Sequence, residues 1–188
     1  MTRSHRQPLA ALLTVLCLAL AGCGEADNSA PTPADEGTAE ESGDRQAVEV
    51  VLRDYEFVGL PETVPPGTRF TVANEADSEL HELVAFHLPA DEDRSVDELA
   101  ELAPEELVGT LGQPVTVLLA QPGGPQIPAV GDGTVTQPGR YAVMCFIPTG
   151  ADPQEYLQAA EQTEEGPPQV EGGPPHFVHG MRAEFTVE

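Results

Sequence analysis

Short runs in which apolar and polar residues alternate recur along residues 47–188, separated by Gly and Pro. The first run, residues 47–58 (AVEVVLRDYEFV), places Val48, Val50 and Leu52 on one side of an extended strand. Five more runs have the composition of strands: 69–73, 82–88, 115–119, 140–146 and 183–187. Short strands separated by turns are typical of a β-sandwich or barrel. The pattern therefore predicts an all-β domain.

Two segments have helical signals instead. Ser95 and Glu98 form a capping box at the start of residues 95–102 (SVDELAEL). Asp152 followed by Pro153 is a second start signal, with apolar residues continuing to Ala160. We therefore expect two short helical insertions among the strands.

The N-terminus has the features of an export signal. Arg3 and Arg6 precede an apolar run over residues 8–20, which is shorter than the about 20 residues of a membrane-spanning helix. The run ends in Leu-Ala-Gly-Cys23, which resembles the lipobox of bacterial lipoproteins. Residues 1–22 are thus expected to be a lipoprotein signal peptide, with Cys23 lipidated and the protein anchored to the outer face of the cell membrane. The alternative is an ordinary secretory signal with an incidental Cys.

Residues 23–46 form the next segment, which is acidic and rich in Ala, Pro, Ser and Thr. It has no large apolar side chain, so it cannot bury enough surface to offset the entropy of ordering. We expect it to be a flexible tether, followed by one domain over residues 47–188.

The charge of the chain excludes some partners. All 32 acidic residues follow Cys23 and two of the eight basic residues precede it, so the mature chain has a formal charge of −26. Nucleic acid and anionic lipid surfaces would be repelled. A partner attracted by charge would be a cationic protein, such as a redox protein; otherwise the acidity serves solubility alone. The protein itself is expected to be a monomer.

Cys145 is the cysteine that needs an explanation. Cys17 lies in the signal peptide and Cys23 is the lipidation site, which leaves Cys145 without a partner for an intrachain disulfide in an oxidising compartment. Cys145 is therefore either a metal ligand or a buried cysteine with no chemical role.

Three segments together resemble the cupredoxin (plastocyanin-like, azurin-like) family of type 1 copper proteins. One is residues 74–86 (NEADSELHELVAF), which contains His81; the next is residues 139–145 (GRYAVMC), which ends at Cys145. The last is residues 176–181 (HFVHGM), just before the final strand. The resemblance covers most of residues 47–188 and implies a cupredoxin-like Greek-key β-sandwich with one copper ion.

The resemblance also implies which residues hold the copper. His81, Cys145 and His176 would be the equatorial ligands and Met181 the weak axial ligand, a donor set that suits copper electron-transfer sites. His179 is the alternative to His176, and Met181 could instead be core packing. His87 is roughly 20 Å from His81 along an extended strand and cannot share a metal with it.

One feature departs from the family. Cys145 and the second His usually lie on one short loop, whereas here the insertion 149–175 separates Cys145 from His176. The roughly 2 kcal/mol of extra loop-closure entropy is small beside a tight metal site, but the insertion could remove the preorganisation needed for fast electron transfer.

Three functions are therefore considered. The first is a tethered extracytoplasmic cupredoxin for one-electron transfer or copper handling, and the second is a cupredoxin-fold lipoprotein whose metal site is lost, acting as a binding or structural module. A hydrolytic enzyme has no supporting motif, such as G-x-S-x-G, and no enzymatic activity is expected.

Overall fold

The computed structural model describes residues 46–163 and 166–188. The signal peptide and Cys23 lie outside these residues, as does all of the expected tether except Gln46. Two sheets make up most of the structure. The smaller has the strand order β2-β1-β4-β8 and the larger β3-β10-β9-β5-β6-β7. The strands are β1 (Ala47–Arg53), β2 (Glu56–Val58), β3 (Thr63–Val64), β4 (Thr68–Asn74), β5 (His81–His87), β6 (Thr116–Ala120), β7 (Gln126–Val130), β8 (Thr134–Val135), β9 (Gly139–Met144) and β10 (Arg182–Val187).

The expected all-β sandwich is confirmed, because two sheets enclose an apolar core. β1 pairs in parallel with β4, and β10 pairs antiparallel with β9 and in parallel with β3. The main core includes Val50 and Leu52 of β1, as the alternation in that run predicts. The single first strand is corrected, however: Tyr55 has φ +66° and turns the chain, so residues 47–58 form the hairpin β1–β2.

Three α-helices and one 3₁₀ turn complete the described part of the chain: α1 (Val96–Leu99), α2 (Pro104–Leu111), α3 (Pro153–Gln162) and the 3₁₀ turn His176–His179. The capping box of Ser95 and Glu98 is present, and the Asp152 side chain caps α3, so both predicted helices are confirmed. α2 is an additional helix. Pro104 at its first turn and Gly112 at its end are signals that could have predicted it. No helix among residues 46–163 and 166–188 is long and apolar enough to cross a membrane.

α1 and α2 explain why β5 does not alternate between apolar and polar residues. Leu83 and Ala85 of β5 belong to the core between the sheets, whereas Val84 and Phe86 pack in a second apolar cluster with residues of both helices. Every β5 residue except His87 is therefore buried. A strand covered on both faces has a nearly continuous apolar sequence. His81 begins β5, and Cys145 follows its paired neighbour β9.

Candidate metal centre

Three donor residues converge inside the sandwich. His81 is the first residue of β5, Cys145 directly follows β9, and His176 begins the 3₁₀ turn. All three are fully buried, and their donor atoms lie within 4.8 Å of one another. His176 Nδ1 is 3.0 Å from His81 Nδ1 and 3.3 Å from Cys145 Sγ. Among the described residues, two imidazole nitrogens and one sulfur thus face a common point.

Met181 lies beside these residues, and its side chain is fully buried. Its backbone carbonyl accepts a hydrogen bond from Cys145 N at 3.1 Å, and its N–H donates to the His176 carbonyl at 3.1 Å. These two bonds tie the Met181 backbone to two of the three donor residues. The four residues implied by the resemblance therefore occupy one region.

The two ends of the insertion 149–175 lie next to each other. Thr149 N donates to the Pro174 carbonyl at 3.1 Å, and Gly173 N donates to the Thr149 carbonyl at 2.8 Å. Nearer the site, His176 N donates to the Ile147 carbonyl at 3.0 Å. Phe177 N donates to the carbonyl of Cys145 itself at 2.9 Å. The two ends of the insertion are therefore joined by backbone hydrogen bonds, which also hold the backbone of Cys145 next to that of Phe177.

The other two described histidines lie elsewhere. His179 is exposed, and its ring lies 5.1 Å from that of Tyr55. His87 contacts the Pro138 carbonyl through Nε2 at 3.1 Å and packs on Tyr141. The structure therefore brings His176, and neither His179 nor His87, together with His81 and Cys145.

Carboxylates face the outer nitrogen of each buried imidazole. Asp54 Oδ1 is 3.3 Å from His81 Nε2, and Glu79 Oε2 is 3.5 Å from His176 Nε2. The second contact is too long or poorly aligned for a hydrogen bond, since His176 Nε2 has no hydrogen-bond partner among the described residues. Of the two carboxylate contacts, only the one between His81 and Asp54 is therefore a hydrogen bond. Orientation by a carboxylate is the usual support of a metal-binding imidazole.

Burial sets the protonation of the three donors. Burial is the largest cause of the lowered pKa of His81. It is also the largest cause of the lowered pKa of His176, which falls to about 4. Burial, followed by the charge of Glu82, raises the pKa of the Cys145 thiol well above its ordinary value. Both imidazoles are thus neutral at pH 7, as metal ligation requires, and the thiol needs a nearby cation to ionise.

These residues fit a transition-metal ion. Two imidazole nitrogens that bind one tetrahedral metal at about 2.0–2.1 Å are roughly 3.3 Å apart, close to the 3.0 Å between His81 Nδ1 and His176 Nδ1. A thiolate with two imidazoles suits copper or zinc, whereas magnesium and calcium prefer oxygen ligands.

Two residues that the sequence patterns did not single out, Glu82 and Tyr156, lie next to the donors. The Glu82 carboxylate accepts from Phe146 N at 3.0 Å and from the Tyr156 hydroxyl at 3.3 and 3.4 Å. Burial raises the pKa of Glu82 to about 7, against the opposing effect of these hydrogen bonds. A charged residue inside the apolar run 82–88 was the available signal.

No protein-family model matches this chain. No curated protein matches it either. Among solved structures it is similar to a sodium dithionite-reduced auracyanin from the photosynthetic bacterium Roseiflexus castenholzii, with 20% sequence identity and a TM-score of 0.42. The alignment covers 76% of this chain and 97% of that chain. It is also similar to auracyanin B, with 16% identity, 76% and 88% coverage and a TM-score of 0.35. At this level neither likeness assigns a function, which has to be inferred from the donor atoms of this chain.

Proposed function

We propose that this protein binds one copper ion through His81, Cys145 and His176, with Met181 as a weak axial ligand, for one-electron transfer or copper handling. The observation that carries the proposal is the convergence of His81 Nδ1, His176 Nδ1 and Cys145 Sγ within 4.8 Å in a fully buried place. Three ligand-type side chains without solvent contact would be a costly arrangement if they had no common partner.

Copper is favoured over other ions by the mixed character of the donors. Thiolate and thioether sulfur suit Cu(I), imidazole suits Cu(II), and a trigonal His₂Cys set with a distant Met accommodates both states. When bound, the copper supplies the ability to accept and release one electron. The protein holds the donors in fixed positions and excludes water from the three side chains.

The closed insertion supports electron transfer as well as simple copper storage. Fast exchange of one electron requires that the ligands move little between the two oxidation states. His81 and Cys145 are attached to the paired strands β5 and β9. The backbone bonds between residues 145–149 and 173–177 hold His176 against them despite the insertion.

Titration of the reduced mature chain with Cu(I) and Cu(II) tests the proposal. One equivalent should bind more tightly than micromolar, and the Cu(II) form should absorb strongly in the visible through sulfur-to-copper charge transfer. Cys145→Ser is the matched control, because it removes only the sulfur and should abolish the band. If neither oxidation state binds more tightly than micromolar, the protein is instead a cupredoxin-like module without a functional metal site.

The proposal includes a location and a partner class. Lipidation at Cys23 would tether the protein to the outer face of the cell membrane as a monomer. The Arg3/Arg6 region, the apolar run 8–20 and the Leu-Ala-Gly-Cys sequence support this placement. The formal charge of −26 after Cys23 would favour a cationic redox protein as partner.

A further inference from the structure

The Glu82 carboxylate joins three parts of the domain that are distant in sequence. Glu82 is the residue after His81 on β5. It accepts a hydrogen bond at 3.0 Å from the backbone N–H of Phe146, the residue after Cys145. It also accepts from the hydroxyl of Tyr156, 74 positions further along the chain on α3. One side chain therefore connects the neighbours of two donor residues to the helix of the insertion.

Both partners of this contact are buried. Glu82 is 3% exposed and Tyr156 is 1% exposed. A buried carboxylate is costly unless hydrogen bonds replace its lost water. Among the described residues, the Phe146 N–H and the Tyr156 hydroxyl are the donors within hydrogen-bond distance of it. Removal of the Tyr156 hydroxyl would leave the carboxylate with a single donor and a strong tendency to move toward water.

The position of the Glu82 side chain matters for Cys145. When the carboxylate moves, the Phe146 N–H loses its partner, and Phe146 is bonded directly to Cys145. The direction of the Cys145 sulfur depends on the backbone on either side of it. Hydrogen bonds that fix the surroundings of a ligand commonly change metal affinity 10–100-fold when they are removed.

We propose that Tyr156 is a positioning residue for the metal centre, acting through Glu82 and Phe146 to fix the Cys145 sulfur. The inference rests on the copper site proposed above and gives the insertion 149–175 a role in it. α3 supplies, from within the insertion, a hydroxyl that holds the residues after His81 and Cys145 together.

Tyr156→Phe in the full chain tests this proposal, because it removes the hydroxyl and keeps the ring. Tyr141→Phe is the matched control: Tyr141 is equally buried, and its hydroxyl donates to the Gln137 carbonyl at 2.8 Å, far from Glu82 in the hydrogen-bond network. Both variants should lose stability, Tyr156→Phe more than Tyr141→Phe, because it removes a donor from a buried carboxylate rather than from a backbone carbonyl. Only Tyr156→Phe should weaken Cu(II) binding, by roughly tenfold or more, and shift the charge-transfer band.

A second readout does not depend on copper. In metal-free, reduced protein, the alkylation rate of Cys145, mapped by peptide mass spectrometry, should rise in Tyr156→Phe and stay unchanged in Tyr141→Phe. Glu82→Leu, which has no acceptor for the Phe146 N–H or the Tyr156 hydroxyl, should produce the same changes from the other side of the contact. The double variant with Tyr156→Phe should then add little, because both substitutions break one interaction.

The results distinguish failure of this proposal from failure of the copper site. If wild-type protein binds no copper while alkylation rises only in Tyr156→Phe and Glu82→Leu, the positioning role stands and the copper function fails. If wild-type protein binds copper and Tyr156→Phe matches Tyr141→Phe in affinity, band position and alkylation, the positioning role is overturned. Additive effects in the double variant would also overturn it.

Discussion

The Nδ1 atoms of His81 and His176 lie 3.0 Å apart, although 95 positions separate the two residues in the chain. Two facing Nδ1 atoms can share only one proton, and both rings are shielded from water. Cys145 Sγ, at 3.3 Å from the second nitrogen, adds a third donor to the same point. The proposed copper ion would accept electron pairs from all three atoms at this point.

The first prediction separates the two histidines of the 3₁₀ turn. His176→Ala should weaken copper binding by at least an order of magnitude, since it removes a buried donor. His179→Ala is the control, because that ring is exposed and outside the donor group. Isothermal titration or competition with a chelator measures both affinities. The opposite ranking would move the site to His179.

The second prediction concerns the closure of the insertion. A Cβ at Gly172 would lie 2.5 Å from Pro148 Cβ and 3.1 Å from the Thr149 carbonyl oxygen. Gly172→Ala should therefore push the ends of the insertion apart, cost about 1–3 kcal/mol of stability and weaken copper binding.

Gly109→Ala is the control for this change. A Cβ at Gly109 meets nothing within 4 Å, and the residue lies in α2, so the substitution should be neutral or stabilise by up to about 1 kcal/mol. Urea unfolding and copper titration measure both variants. Equal copper affinity in the two would show that the insertion ends do not position His176.

The third prediction concerns Asn74, which holds the segment before His81. Its Nδ2 donates to the carbonyls of Glu79 and Ala120 at 2.9 and 2.8 Å. Asn74→Ala leaves buried acceptors without donors and should cost about 2–4 kcal/mol, measured by urea unfolding. Asp77→Ala, at an exposed position in the same loop, should change stability by less than about 0.5 kcal/mol. Similar losses in both variants would contradict this role of Asn74.

The fourth prediction concerns Met181 as axial ligand. Met181→Leu keeps the volume of a buried side chain and should cost less than about 1.5 kcal/mol, while the reduction potential rises because the axial thioether is lost. Met144→Leu is matched in burial but packs in the second apolar cluster with α1 and α2, so its potential should stay near that of wild type. Protein-film voltammetry measures both. An unchanged potential in Met181→Leu would make Met181 a core residue only.

The fifth prediction concerns export. If Cys23 is lipidated, the intact protein should fractionate with membranes, and Cys23→Ala should block lipid labelling and mature-length processing. Cys17→Ala is the control, because that residue would be discarded with the signal peptide and its loss should change neither. Normal processing and labelling of Cys23→Ala would reject the lipoprotein assignment.

The local sequence predicted six strand-forming runs and two of the three described α-helices, but it did not predict β3, β7 or β8. Val50 and Leu52 face the core because alternation in a strand separates its two faces, and Asp152 begins α3 because its side chain caps free backbone N–H groups. The order of His81, Cys145, His176 and Met181 was also readable, since the motifs that contain them are contiguous.

The remaining features depend on residues far apart in the chain, so they become visible only in the folded protein. His176 and His179 are three positions apart in similar local sequence. The bonds from His176 and Phe177 back to Ile147 and Cys145 determine which ring is buried. The inward-facing Glu82 carboxylate accepts a hydrogen bond from Tyr156, 74 positions away. Local patterns record the periodicity of a strand or helix, but they do not record which distant backbone groups close a loop or satisfy a buried carboxylate.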